Sequence, residues 1–442
     1  MAALLAAIGL LGLSGALAWR IPRTPAWVPL ILGVAALGFG ISETAPVRIA
    51  LSSLILLYFV KAAALLAVGN AERPRGVGAW IYATVWPGIA PDGLTSRTTS
   101  LHEAGHRFRR GYVKFLIGFA ACLSLGWYAN VFDASTLGAL GIGALLLTVH
   151  FGFSDMLTAG LQSQGFAVRP LFDDPFYATT LNDFWTRRWN LAFVQMNRIL
   201  FMRPLVRLLG IRGAIFGVFA ISGILHELAI SYPVMAGWGG PLLYFVIQSV
   251  LLAAERKLKI KSRIWTWTMI LLPVPLLFHE PFRTGLVAPL FSSLGDWLQT
   301  LTFDSFWSMV LVTLGLLHFL ILGASAQVPT RLNWRVELAR LSSLNRKLMW
   351  TYGIFIVLCI VAFGVLTLVL RPALLAGDQV GLWLCGFIAI FWGLRLIVDN
   401  FVLTHEDWPQ GSEFEIGHTL LTTVFSVLTL GYGGFVAATL LK

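Results

Sequence analysis

Twelve apolar segments recur along the chain, at about 2–19, 25–41, 47–69, 115–130, 135–158, 213–236, 240–254, 265–280, 301–323, 350–370, 380–398 and 417–437. Such stretches sit in lipid only if every backbone N–H and C=O is paired, which leaves helices or a closed barrel. None of the segments alternates with period two, so the barrel reading falls away. Several are shorter than the ~20 residues that cross a bilayer upright, and ten to twelve crossings are expected, some of them re-entrant. Only 12% of the residues are charged, about half the share of a soluble domain. The longest polar stretches, 91–110, 163–190 and 324–349, are too short to bury a core of their own. The expectation is a single all-α polytopic membrane domain over 1–442, with the first segment a retained helix rather than a signal peptide.

Charge is placed as unevenly as apolarity. The basic excess, +11 in formal charge, gathers in six clusters: Arg20/Arg23, Arg73/Arg75, Arg97 to Lys114, Arg169 to Arg212, ERKLKIKSR at 255–263, and Arg331 to Lys347. Counting one crossing per segment puts all six on one face, while Arg48, Arg283 and Arg371 fall singly on the other. The positive-inside rule makes the basic face cytosolic, and the expected location is a bacterial inner (cell) membrane. The clusters flank spans and accompany no recognition module, so nucleic acid is not an expected partner. They suit anionic lipid headgroups and would draw an anionic substrate from the cytosol. The stretch 190–212 mixes large apolar residues with Arg198, Arg203, Arg207 and Arg212 and reads as a helix along the membrane surface.

Cys122, Cys359 and Cys385 lie in apolar stretches without partner spacing, so neither a disulfide framework nor a thiolate metal site is expected. LHEAGH does place His102, Glu103 and His106 in the HExxH pattern of zinc proteases, where a carboxylate activates water beside two histidines. The polar DGLTSRTTS before it and RFRRG after it are unlike an intramembrane protease helix. No distant carboxylate motif offers a third ligand. A zinc intramembrane protease is thus a lesser alternative. A transporter is the other, threading Lys61, His226 and Glu227 along a polar path; it should show inverted repeats, and none is visible.

Ionisable side chains inside lipid are costly and mark function. Lys61, His150, Asp155, His226 with Glu227, His318, and Arg395 with Asp399 qualify. Arg395 and Asp399, four apart, fit a pair across one turn. His226 stands mid-segment in AISGILHELAISYP, one turn after Ser222 and Gly223, whose small size leaves room for a substrate or a close helix. A neutral imidazole there can take a proton from a hydroxyl, or bond across helices as a structural residue. Glu227 points away from the His226 face and fits an orienting partner, a snorkelling carboxylate or a proton path. His279, His405 and His418 stand at segment edges and carry little weight.

The densest mixture of aromatics and charge is LFDDPFYATTLNDFWTRRWNLAF, starting at Leu171. Within it, NDFWTRRWN (Asn182 to Asn190) resembles the S-x-x-D-F-W-x-R-R-W-N signature of the wax synthase branch of the membrane-bound O-acyltransferases. Thr180 or Leu181, according to register, stands where that pattern opens on serine. Diacylglycerol and sterol acyltransferases carry a related F-W-x-x-W-N element. Some 36 residues on, SGILHE is similar to the family's S-G-x-x-H-E helix, which puts the family's catalytic histidine on His226 and its motif asparagine on Asn190. TVHFGFSDM around His150 resembles the helix that precedes the signature in plant wax synthases, with Ser154 at a phenylalanine position. VWPGIAPD at 85–92 resembles an early aromatic-Pro-Gly element. The resemblance covers about residues 80–280, with the loop 171–190 and the helix 213–236 at its centre.

The resemblance implies a helical bundle enclosing a substrate tunnel. It implies transfer of an acyl group from acyl-CoA to a lipophilic hydroxyl: a long-chain fatty alcohol giving wax ester first, diacylglycerol, a sterol or another lipid hydroxyl next. His226 would be the general base. Asn190 would hydrogen-bond the developing oxyanion, orient substrate or imidazole, or simply cap a helix. Trp185 and Trp189 would wall the donor chain, and Arg187 and Arg188 would meet the CoA phosphates. His150 and Glu227 complete the substrate-contacting set. Acyl-CoA is then a co-substrate, the partners are the hydroxyl acceptor and membrane lipids, and neither a metal nor a permanently bound cofactor is required.

Overall fold

Each of the twelve apolar segments is helical in the computed structural model, which describes residues 2–21, 23–95, 97, 103–403 and 411–442. Among the described residues there is no strand, only an isolated antiparallel bridge between Arg97 and Phe166. Among the described residues seven helices are long and apolar enough to cross a bilayer, against the ten to twelve crossings expected, and three shorter apolar ones accompany them. His102 of the HExxH pattern and His405 lie outside the described residues.

The chain forms two compact units, Met1–Gln299 and Thr300–Lys442. In the first, α1 (Ala2–Arg20), α2 (Trp27–Phe39), α3 (Ala45–Ala67) and the short α4 (Gly76–Thr84) precede α5 (Ala104–Trp127) and α6 (Ala134–Ser163). A long loop leads to α7 (181–188), α8 (Leu191–Val234), α9 (Gly240–Leu258), α10 (Arg263–Leu277) and α11 (280–299). Lipid is as apolar as leucine, so helices in it are held by close packing and small residues rather than by escape from water. The α5–α6 pair shows this. A methyl group added at Gly118 would strike Thr148, and one at Gly152 would strike the backbone of Phe115. Wide π-type turns interrupt this unit at 55–59, 146–153, 184–188, 197–201, 227–231 and 283–287, whereas the second unit has none among the described residues. Such turns re-aim side chains and cluster at functional sites.

Lys61, a candidate for a polar path, is closed off. Its ammonium donates to the carbonyls of Tyr82 and, at 2.6 Å, Trp86, with the Tyr82 ring 4.4 Å away. It thereby latches the segment around Trp86-Pro87-Gly88 onto α3.

The second unit is built from α12 (Phe303–Arg331), α13 (Ser343–Val369), α14 (Gln379–Phe401) and α15 (Ser412–Leu440). Several of its buried polar side chains pair with one another. The fully buried His318 donates from Nδ1 to the Leu314 carbonyl at 2.8 Å and accepts at Nε2 from the Trp392 indole at 3.0 Å. Thr367 and Tyr432 share a 2.6 Å hydrogen bond. The buried Asp399 pairs with Arg395 at 3.4 Å, one turn away on the same helix, and accepts from Thr422 of α15.

Candidate active site

The first unit brings the signature and His226 together through a helical hairpin. Gly210 interrupts α8 with φ 67° and ψ 177°, a backbone conformation that only glycine adopts freely. The arms on either side, Phe193 to Leu209 and Ile211 to His226, are each about 25 Å long at helical rise. They fold back so that Leu205 lies against Gly217 and the Phe193 ring lies 5.5 Å from the His226 ring. The stretch expected to lie along the membrane surface is therefore the first arm of this hairpin, and only its tip, around 207–212, is exposed throughout.

Within S-G-x-x-H-E each fixed position has a physical task. The Ser222 carbonyl stands 2.6 Å from His226 Nδ1. A carbonyl can only accept, so Nδ1 carries the proton and Nε2 keeps its lone pair. Gly223 allows backbone contact with α9, where an added methyl would strike Leu242. Phe245 of α9 then stacks obliquely on the imidazole, ring centroids 4.4 Å apart. Glu227 faces the other way: its Oε1 accepts from the N–H groups of Gly239, at 2.9 Å, and Leu242, at 3.1 Å. His226 itself is partly buried between the Phe193 and Phe245 rings. His150 is exposed, on the longest π-type stretch, edge-on to Phe172 at 5.5 Å. Phe172 in turn packs on Trp189 at 5.2 Å.

The signature helix α7 is anchored at both ends. At its start, Glu255 of α9 accepts from the N–H groups of Leu181, at 2.7 Å, and Asn182, at 3.3 Å, while the Thr180 hydroxyl caps Asp183. In its middle, the Trp185 indole donates to Gln248 of α9 at 3.2 Å, and the ring sits among Phe184, Phe219 and Phe245. At its end, Asn190 adopts the left-handed conformation (φ 42°, ψ 62°) and its Oδ1 caps Phe193 N–H at 3.4 Å. Its Nδ2 makes no hydrogen bond among the described residues.

Ion pairs hold the loop before α7. Asp155, buried on α6, takes Lys114 at 2.8 Å and Arg107 at 3.7 Å, and Asp174 takes Arg110 at 2.8 Å. Part of the basic 97–114 cluster is thus neutralised by the signature region itself. Arg188 belongs to the same scaffold: it pairs with Asp183 at 2.6 Å and donates to the carbonyls of Asp173 and Asp174. Arg187 is exposed and has no ion pair among the described residues. Phe193, Phe245, Gln248 and Glu255 are not among the candidate site residues of the sequence reading. Gln248, an amide in an otherwise apolar segment, was the one legible signal among them. Glu103 and His106 stand exposed at the start of α5, and no metal-ligand cluster occurs among the described residues.

Comparison with known proteins converges on this region. Residues 168–247, which hold Asn190, His226 and Phe245, match the model of the membrane bound O-acyl transferase family. Acyl-CoA–sterol O-acyltransferase 1 of Arabidopsis thaliana is 40% identical over 72 residues, 15% of this chain and 21% of the relative. The long-chain-alcohol O-fatty-acyltransferase of Simmondsia chinensis is 32% identical over 104 residues, 22% of this chain and 30% of the relative. The chain spans less than a third of the length of these two curated relatives. The signature helix and the histidine helix, folded against each other as one site, both lie in the stretch that is similar to the membrane bound O-acyl transferase family.

Proposed function

We propose that this protein is an acyl-CoA-dependent O-acyltransferase that esterifies a lipophilic alcohol, with a long-chain fatty alcohol as the acceptor and wax ester as the product. The observation that carries the reading is the His226 geometry: Nδ1 donating to the Ser222 carbonyl leaves the Nε2 lone pair available as a base. The similarity to a long-chain-alcohol acyltransferase and to a sterol acyltransferase supports a lipophilic hydroxyl as the acceptor class.

In this mechanism Nε2 takes the hydroxyl proton as the alcohol oxygen attacks the thioester carbonyl. The tetrahedral oxyanion collapses, the C–S bond breaks, and the imidazolium returns the proton to the departing thiolate, so no acyl-enzyme forms and no net proton is released. The Asn190 amide N–H is the donor for the oxyanion, a contribution of ~3 kcal/mol where such donors have been removed. Arg187 meets the CoA phosphates, since it is the accessible guanidinium of the signature, while Arg188 holds the loop. Trp185, Trp189 and His150 border the path of the acyl chain and acceptor. The basic face is cytosolic, where CoA is supplied.

The test is membrane expression with labelled acyl-CoA and a panel of fatty alcohols, sterols and diacylglycerol, wild type against His226→Ala. Loss of the base should lower turnover by about 10²–10⁴. Full esterification by the mutant would remove His226 from this role, and no ester with any acceptor would overturn the proposed activity.

A further inference from the structure

Helix α9 starts without a capping side chain of its own. Its first turn reads Gly239-Gly240-Pro241-Leu242-Leu243, and the cap position is Gly239, in the left-handed conformation. An N-terminal turn leaves backbone donors that must be matched, above all where water is scarce. Here the account closes. Gly240 N–H reaches the Gly237 carbonyl, Leu243 N–H reaches the Gly239 carbonyl, and Pro241 has no N–H. The two that remain, Gly239 and Leu242, both go to Glu227 Oε1. The other oxygen, Oε2, is buried without a partner. The approach is tight: Gly237, with φ 75°, passes so close over His279 that an added methyl would fall on the ring, and His279 meets Ser231 of α8 at 3.1 Å.

We infer that Glu227 is a positioning residue for the proposed transfer: it acts as the missing N-cap of α9 and so fixes the register in which Phe245 meets His226. The link is short. Leu242 N–H is held by Glu227, Phe245 comes three residues later and lies 4.4 Å from the imidazole, and Gln248, one turn further, holds Trp185. The adjacency of His and Glu in the motif then has a mechanical reason. One residue is the proposed base, and the next clamps the neighbouring helix. The helix dipole favours the carboxylate at that place, but the required feature is an acceptor oxygen, not a proton.

This rests on the acyltransferase reading, and the experiment separates the two. Glu227→Gln keeps an acceptor oxygen; Glu227→Ala does not. Turnover, donor KM, the pH–rate profile and hydrogen exchange at the Gly239 and Leu242 amides are measured for wild type and both variants. Glu227→Ala should speed exchange at those amides and lower kcat by about tenfold or more, as expected for two buried donors left unmatched. Glu227→Gln should keep slow exchange, the wild-type pH profile, and kcat within about threefold. Unchanged exchange in Glu227→Ala would overturn the cap. A Glu227→Gln variant with slow exchange but the Ala-like loss of turnover would overturn positioning in favour of proton transfer. Faster exchange in Glu227→Ala with no ester formed by wild type would refute the activity and leave the cap standing.

Discussion

Replacing Gly210 by alanine tests whether the hairpin assembles the site. At φ 67° and ψ 177° an L-residue is strained by ~1–3 kcal/mol. Space is not the obstacle, because a methyl group added there meets nothing within 4 Å. If the strain is relieved by opening the arms, the closed hairpin loses population by about five- to a hundredfold, at 1.4 kcal/mol per factor of ten. Phe193, capped by Asn190, then leaves His226, and turnover falls with it. The matched control is Gly143→Ala on α6, also with nothing within 4 Å but in ordinary helical conformation, where alanine should gain ~0.5–1 kcal/mol. Thermal unfolding of the purified protein and esterification of a fatty alcohol by labelled acyl-CoA are the two readouts. The same chemical change should lower both at 210 and neither at 143. Gly210→Ala with wild-type stability and turnover would show that the break does not hold Phe193 against His226.

Three further outcomes are expected. Arg187→Ala should raise the apparent donor KM with little effect on stability, whereas Arg188→Ala should lower the unfolding temperature, having lost Asp183 and two carbonyls; the reverse pattern would exchange their roles. Asn190→Gly keeps the left-handed backbone and removes only the side chain, costing a few tenths of a kcal/mol as a cap. A fall in kcat of about a hundredfold with near-normal stability would be the signature of the oxyanion donor, and unchanged kcat would leave Asn190 a cap. Lys61→Met strips the donor from the Tyr82 and Trp86 carbonyls and should destabilise by ~1–3 kcal/mol; equal or greater stability in a melting assay would show that the latch is dispensable.

The helices were legible because lipid leaves the backbone few choices, and all twelve apolar segments are helical. The number long enough to cross was not, since length along the sequence does not reveal where a segment bends. The α8 stretch shows why. Its alternation of arginine and large apolar residues suits a surface helix, yet Leu205 packs on Gly217 and only the tip is exposed throughout. Arg188 and Arg187 are adjacent and chemically alike, so residue type cannot tell them apart. Only the position of Asp183 and of two loop carbonyls takes up the first and leaves the second exposed.

The sequence by itself determined that the chain is helical and membrane-embedded, and it singled out the pair Asn190 and His226, because lipid solubility and motif chemistry are local properties. It held the spacing of 36 residues between them without its meaning. The tertiary structure decided that this is the length of two equal helical arms closed at Gly210. It also decided which imidazole nitrogen is free, and that Glu227 reaches across to α9. Those facts depend on partners far apart in the chain, and a side chain's chemistry is fixed by its neighbours in space.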